Sequence, residues 1–225
     1  MTTARPNLYM PIHKGLRLGH CQILHRLGAV NWLDDKATSG MLGDLRVHLV
    51  LCREHLDHED ASMHPCLVAV APDVLAMLEH DHADHLASFE RLNALIAKMA
   101  IAAPAERPAL GYQLYLMFTH FMADDLRHME REETAAMAAM WQHMSDAELM
   151  EVHVRIVTAI PPMRMIDYMR LILPAVDPQE RLMMLRGMQE SAPEPAFLQV
   201  LEQAARPTLP SHEWQSLIDE LGVAA

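Results

Sequence analysis

The chain has 225 residues, a length that suits one large domain or one domain with an appendage. It contains 18 Lys and Arg against 30 Asp and Glu, and the resulting charge of -12 argues against nucleic acid or an anionic membrane as a partner. The three cysteines form no C-x-x-C pair, no apolar run is long enough for a membrane span, and the first residues lack a leader pattern. We therefore expect a soluble, cytoplasmic protein.

The composition favours the all-α class, because glycines and β-branched runs are few and methionine, alanine and leucine are frequent. Apolar residues recur at helical spacing in four segments, which predicts long helices over about residues 8–33, 41–70, 73–102 and 110–141. The His64-Pro65 pair predicts a kink near the end of the second helix. Short connections between the four helices predict an up-down-up-down four-helix bundle, which we place in residues 1–144.

The remainder of the chain, residues 145–225, has a different pattern. Frequent prolines divide it into short predicted helices, and Ser145 and Glu148 have the spacing of a capping box at the start of the first. This segment contains no chemical motif. We predict a C-terminal helical extension that packs against the bundle or against a second subunit, in which case the protein is a homo-oligomer through these helices.

Two of the predicted core faces contain groups that an apolar core excludes. His55 and Glu59 lie on the second helix, and His128 and Glu132 lie on the fourth. Within each pair the residues are four apart, so that one helical turn places both side chains on the same face. Each pair can therefore contribute two ligands to one metal centre.

A pseudo-repeat strengthens this interpretation, because a single histidine precedes each pair at a similar spacing. His13 lies 42 residues before His55, and His82 lies 46 residues before His128. Two helical hairpins thus supply four imidazoles and two carboxylates, and bound cations would remove the cost of burying the carboxylates. Imidazole and carboxylate ligands suit iron, manganese or zinc, and two metals bridged by two glutamates leave positions open for O₂, NO or peroxide.

Four motifs in residues 8–142 resemble the hemerythrin-like, or HHE cation-binding, family: PIHKGLR, HLDHE, DHADHL and HMEREE in the first to fourth helices. The resemblance implies a four-helix bundle with a non-haem di-iron centre. Oxygen-carrying members have two histidines four apart on the third helix and an Asp five residues after the last His, and this chain departs from both features. The resemblance implies these ligands: His13, His55, Glu59, His82, His128 and Glu132.

Several other residues compete for a role in this centre. His20 lies seven residues after His13 on the same helical face and is the alternative ligand from the first helix. His85, one turn after His82, has three candidate roles. It is either a fifth imidazole ligand, a hydrogen-bond donor to one of the ligands, or only a core residue. Asp125, one turn before His128, is placed to orient an imidazole. The remaining histidines nearby are interpreted as surface, capping or supporting groups: His58, His64, His80 and His120.

The leading hypothesis is a protein that uses two iron ions to bind, sense or store a small diatomic or peroxide ligand, or iron itself. The alternative is a di-iron oxidoreductase that reduces peroxide or NO at the same centre, although the sequence contains no separate acid and base for this chemistry. A third hypothesis is a metal-free helical interaction module. It gives no reason for the burial of the Glu59 and Glu132 carboxylates.

Overall fold

The computed structural model describes residues 5–223, and every regular element in this range is helical, which confirms the all-α prediction. Residues 1–4, part of the segment from which we inferred the absence of a leader, lie outside the described residues. No helix within 5–223 is long and apolar enough to cross a membrane. The chain divides into two compact units, one formed by residues 5–9 and 19–156 and the other by residues 10–18 and 157–223.

Four long helices occupy the first two-thirds of the chain: α1 (Met10–Ala29), α2 (Asp35–Ser62), α4 (Pro72–Ile101) and α5 (Arg107–Arg131). α2 begins six residues earlier than periodicity predicts, because the Asp34 side chain accepts a hydrogen bond from the Ala37 backbone N–H and caps the helix. Its end is also earlier than predicted. Pro65 disfavours a continuous helix at this point, so α2 ends at Ser62 and the short α3 (His64–Leu67) follows.

The predicted fourth helix does not keep the α-helical hydrogen-bond pattern over its whole length. A π-helical turn, Glu132–Ala136, follows α5, and α6 (Met137–His143) follows the turn. π-helical turns are rare in proteins as a whole, but many of those that occur lie at functional sites. The turn begins at Glu132, one of the predicted ligands.

The first unit has an apolar cluster at the end where α3 and α6 lie. Its buried side chains include Tyr9, Leu67, Leu78 and Met137. The residues just before Tyr9 are held to the same unit by a hydrogen bond. The Trp141 indole N–H donates to the backbone oxygen of Pro6 at 2.8 Å. Burial of these apolar side chains stabilises the first unit.

The second unit consists of the first turns of α1 and a series of short helices. These helices are the end of α7 (Asp146–Ala159), α8 (Pro162–Ile172), α9 (Pro178–Ser191), α10 (Glu194–Val200), the π-helical turn Leu201–Ala205, α11 (Arg206–Thr208) and α12 (Ser211–Leu221). Proline stands in the first turn of several of them, where its missing N–H costs nothing. The predicted division into residues 1–144 and 145–225 stays a prediction.

Polar contacts stabilise the second unit as well as apolar ones. The buried Arg181 guanidinium donates to the Leu173 backbone oxygen at 2.8 Å and to the Glu213 carboxylate at 2.7 Å. Lys14 donates to Glu180 at 2.6 Å. In the first unit, the predicted capping box forms at the start of α7, where the Ser145 N–H donates to Glu148 at 2.8 Å and the Glu148 N–H donates to the Ser145 hydroxyl at 3.3 Å.

Candidate metal centre

Two glutamates are buried almost completely in the first unit, with 1% of Glu59 and 0% of Glu132 exposed to solvent. Each lies one helical turn after a buried histidine. The His55 Nε2 atom is 3.0 Å from Glu59 Oε1, and the His128 Nε2 atom is 3.3 Å from Glu132 Oε2. The i,i+4 spacing therefore produces the two His/Glu pairs that it predicts.

His82, from the middle of α4, brings the two pairs together. Its Nε2 atom is 3.1 Å from His128 Nε2 and 3.6 Å from Glu59 Oε2. Four residues, Glu59, His82, His128 and Glu132, each offer one ligand atom, and these atoms lie within 4.8 Å of one another. The 3.1 and 3.6 Å separations suit atoms that share one metal ion, because metal–nitrogen and metal–oxygen bonds are roughly 2 Å long.

The two glutamates also belong to a second group. His55, Glu59 and Glu132 offer ligand atoms that again lie within 4.8 Å of one another. A carboxylate has two oxygens and can bind two ions at once. Glu59 and Glu132 are therefore common to both groups.

Two carboxylates outside the centre orient its histidines. Asp60 Oδ1 is 2.8 Å from the Nδ1 atom of His82, and Asp81 Oδ2 is 3.4 Å from the Nδ1 atom of His128. Arg131 donates to both oxygens of Asp81, at 2.8 and 2.7 Å. Metal-bound histidines commonly donate their second N–H to a carboxylate in this way.

These contacts determine where the imidazole protons lie. An ionised carboxylate can only accept, so we assign a proton to Nδ1 of both His82 and His128. In the neutral rings, the lone pairs of the two Nε2 atoms then meet at a separation of 3.1 Å. Two lone pairs at this distance repel each other unless a positive charge, a proton or a metal ion, lies between them.

The electrostatics of the site favour positive charge. Burial alone would lower the pKa of His128, but the carboxylates of Glu132, Asp81 and Glu59 outweigh burial and raise this pKa to about 10. Burial would likewise raise the pKa of Asp81, but hydrogen bonds from His128 and Arg131 outweigh it and lower this pKa to about 2. The metal-free centre therefore binds a proton tightly, and a metal ion would replace that proton.

The six predicted ligands are all buried, and the structure brings five of them together in the first unit: His55, Glu59, His82, His128 and Glu132. His13 is fully buried on the first turns of α1, in the segment that belongs to the second unit. Its role as a ligand stays a prediction.

The alternative ligands have other surroundings. His20 Nε2 is 2.6 Å from Asp125 Oδ2, and His20 Nδ1 is 2.9 Å from His48 Nε2. Asp125 thus orients an imidazole, as predicted, and the imidazole is that of His20. His85 Nδ1 is 3.7 Å from Asp125 Oδ1, and the His85 ring meets the His128 ring edge-on with centroids 4.9 Å apart. His85 therefore lies beside the centre as a neighbour of its ligand.

Sequence reasoning did not find the outer carboxylates, Asp60 and Asp81. Each directly adjoins a predicted ligand, Asp60 after Glu59 and Asp81 before His82, and this adjacency is a signal that could have found them. His64 was expected to be a surface, capping or supporting group. It is a supporting one: its ring stacks on His82 with centroids 4.7 Å apart, and its Nδ1 atom is 3.0 Å from Asp60.

The fold and the site together define a helical protein with buried His/Glu groups that can hold a metal ion. Comparisons of the chain with protein-family models, curated proteins and solved structures find no match.

Proposed function

We propose that this protein holds two iron ions in a hemerythrin-like four-helix bundle and uses them to bind, sense or store a small ligand, O₂, NO or peroxide, or iron. The ligands are those predicted from the sequence: His13, His55, Glu59, His82, His128 and Glu132. The observation that supports the proposal best is the 3.1 Å approach of His82 Nε2 to His128 Nε2 beside two buried glutamates.

The types of donor atom are compatible with iron. Among the described residues, the two His/Glu groups offer imidazole nitrogens and carboxylate oxygens, and neither group includes a cysteine. Nitrogen and oxygen donors suit iron, manganese and zinc, whereas an all-oxygen group would suit calcium and a cysteine group would suit an iron–sulfur cluster. Bound iron would supply open coordination positions for a diatomic molecule or peroxide.

The protein's own residues perform three tasks in this function. Glu59 and Glu132 neutralise positive charge in a site that excludes water. Asp60 and Asp81 hold the Nδ1 protons of His82 and His128, so that the Nε2 atoms remain free to act as ligands. The π-helical turn begins at Glu132 and widens the helix where this carboxylate is required.

The proposal is tested by loading the full chain with Fe²⁺ without oxygen, removing free metal and measuring bound iron together with the absorption spectrum after exposure to air. We expect about two iron ions per chain in the original protein. Glu132→Gln should lose at least half of the iron, because the substitution removes a negative charge shared by both groups.

Glu130→Gln is the matched control, since Glu130 is exposed on the same helix two residues earlier. It should bind as much iron as the original protein. Less than one iron ion per chain in the original protein would refute the proposal and favour the metal-free interaction module. So would equal iron binding by the two variants.

A further inference from the structure

A second cluster of metal-binding side chains lies in the first unit and shares no residue with the centre described above. It consists of His20 on α1 and of His48 and Cys52 on α2, all buried. His48 and Cys52 are four residues apart on one face of the helix. The three ligand atoms lie within 4.8 Å of one another.

We propose that His20, His48 and Cys52 form a separate site for one thiophilic divalent ion of the Zn²⁺ type. The ligand atoms are Nδ1 of His20, Nε2 of His48 and Sγ of Cys52. This site differs from the His/Glu centre in containing a thiolate donor, which selects softer ions. Three protein donors leave the fourth position of a tetrahedral ion for a small ligand such as water.

A hydrogen bond to Asp125 orients the His20 ring for metal binding. Its Oδ2 atom is 2.6 Å from Nε2 of His20, so the proton of the neutral imidazole lies on Nε2 and the Nδ1 lone pair faces His48 and Cys52. Burial of Asp125 would raise its pKa, but the hydrogen bond from His20 outweighs burial and the pKa is well below the usual range. Asp125 therefore remains a carboxylate, the usual partner of a metal-bound histidine.

The distances need only a small change to accept an ion. Bonds of about 2.0–2.1 Å to nitrogen and 2.3 Å to sulfur place tetrahedral ligand atoms about 3.4 Å apart for two nitrogens and about 3.6 Å apart for nitrogen and sulfur. The separation of His48 Nε2 from Cys52 Sγ is 3.6 Å, which already fits. The His20 Nδ1 to His48 Nε2 separation is 2.9 Å, a hydrogen-bond distance that must widen by about half an ångström.

Charge and protonation also fit a divalent ion. A doubly charged ion, the Cys52 thiolate and the Asp125 carboxylate sum to zero, which removes the cost of burying each charge alone. Binding breaks the Cys52 S–H bond, forms a metal–sulfur bond and releases one proton to solvent. On His48 the proton moves from Nε2 to Nδ1, which leaves the ring neutral.

The pKa shifts of His48 and Cys52 in the metal-free cluster agree with these protonation states. Burial, with a smaller effect from His20, lowers the pKa of His48 to about 3, so its imidazole is neutral and able to ligate. Burial raises the pKa of the Cys52 thiol, so the thiol keeps its proton until a metal ion displaces it. The rings of Phe118 and Phe121 lie 5.9 and 5.5 Å from the His20 ring and surround it with apolar groups.

The test uses Co²⁺ as a coloured substitute for Zn²⁺ in the full chain after chelation has removed its metals. Cobalt bound to a thiolate gives a sulfur-to-metal charge-transfer band, and the His/Glu centre cannot produce this band because it contains no cysteine. We expect the band to saturate at about one thiolate-bound ion per chain and to disappear when Zn²⁺ is added.

Cys52→Ser and Cys52→Ala should both abolish the band and bind one zinc ion fewer than the original protein, while retaining the helical circular dichroism spectrum. Cys21→Ser and Cys66→Ser are the matched controls and should retain the band, because neither thiol belongs to the cluster. A band that is absent from the original protein, or that persists in the Cys52 variants, would overturn the proposal.

A second comparison tests the positioning role of Asp125. Asp125→Asn should weaken Co²⁺ binding at the thiolate site by roughly 10- to 100-fold, whereas Asp124→Asn, at an exposed neighbour, should not change it. Equal binding by the two variants would show that the carboxylate does not position His20. Iron loading of Cys52→Ser should equal that of the original protein, so failure of the thiolate site and failure of the iron centre are separate outcomes.

Discussion

At the scale of single residues, the geometry of the candidate centre depends on carboxylates outside its ligand groups. Asp81 accepts from His128 and from Arg131, and this chain of contacts fixes the direction in which the His128 Nε2 lone pair points. Asp60 does the same for His82. An imidazole without such a partner could adopt either tautomer or turn over, and its affinity for a metal would fall.

The Asp81–Arg131 contact predicts a dependence of stability on pH in the metal-free protein. Asp81 has a pKa of about 2 when folded and about 4 when unfolded, so its ionised form stabilises the fold above about pH 4, and this contribution is lost as the pH falls towards 2. Arg131→Ala should therefore lower the free energy of unfolding near neutral pH by up to about 1 kcal/mol, since Arg131 is partly exposed. Near pH 2 the variant and the original protein should differ by less.

Urea unfolding measured across this pH range provides the check. Arg127→Ala is the control, because Arg127 lies one turn earlier on α5 and pairs with the exposed Asp124. Its effect on stability should be close to zero at every pH. An Arg131→Ala effect that stays constant or grows on acidification would contradict the assigned pKa of Asp81.

At the scale of elements, the connection between α1 and α2 is tied to the start of α5. Trp32, in this connection, is buried against Gly111, and a Cβ atom on Gly111 would lie 2.2 Å from the Trp32 indole nitrogen. No real contact is this short. Only a residue without a side chain allows α5 to approach the indole so closely.

Gly111→Ala should therefore destabilise the protein by about 1–3 kcal/mol, because the added methyl group must displace a buried indole ring. Gly43→Ala, within α2, meets no atom within 4 Å and should instead stabilise the protein by up to about 1 kcal/mol through its higher helix propensity. Thermal unfolding of the two variants measures the difference. Equal stability of the Gly111→Ala and Gly43→Ala variants would contradict the close packing of Trp32 against α5.

At the scale of the whole molecule, the proposed metal binding would be coupled to folding. The first unit buries two carboxylates and several imidazoles, and the free energy of their burial depends on positive charge within the centre. A ligand that binds only the folded state adds RT ln(1 + [L]/Kd) to stability, about 4 kcal/mol when free metal exceeds Kd 1,000-fold. For a protein of this size the gain corresponds to a rise in Tm of about 10 °C.

If the centre holds iron as proposed, removal of the iron by a chelator should lower the Tm of the original protein by about this amount. Glu59→Ala should melt at the lower temperature whether or not iron is supplied, because it removes a carboxylate shared by both ligand groups. His143→Ala is the control, since His143 is exposed at the end of α6, and it should respond to iron as the original protein does. Identical melting of loaded and chelated original protein would contradict the coupling.

The sequence by itself determined the helical class and both His/Glu pairs. Helical periodicity depends on neighbours three and four residues apart, so α1, α2, α4 and α5 were predictable from local pattern. The same locality places His55 beside Glu59 and His128 beside Glu132 in any helix that contains them. Local pattern also identified the capping box of Ser145 and Glu148.

Only the tertiary structure decided which residues from different helices meet. The 3.1 Å approach of His82 to His128, the pairing of His20 with Asp125 and His48, and the support of His128 by Asp81 all join residues far apart in the chain. These contacts depend on how the helices rotate and slide against one another, which apolar packing over the whole unit sets and no short spacing specifies. The π-helical turn at Glu132 has the same origin, since its wider backbone is stable only where surrounding side chains support it.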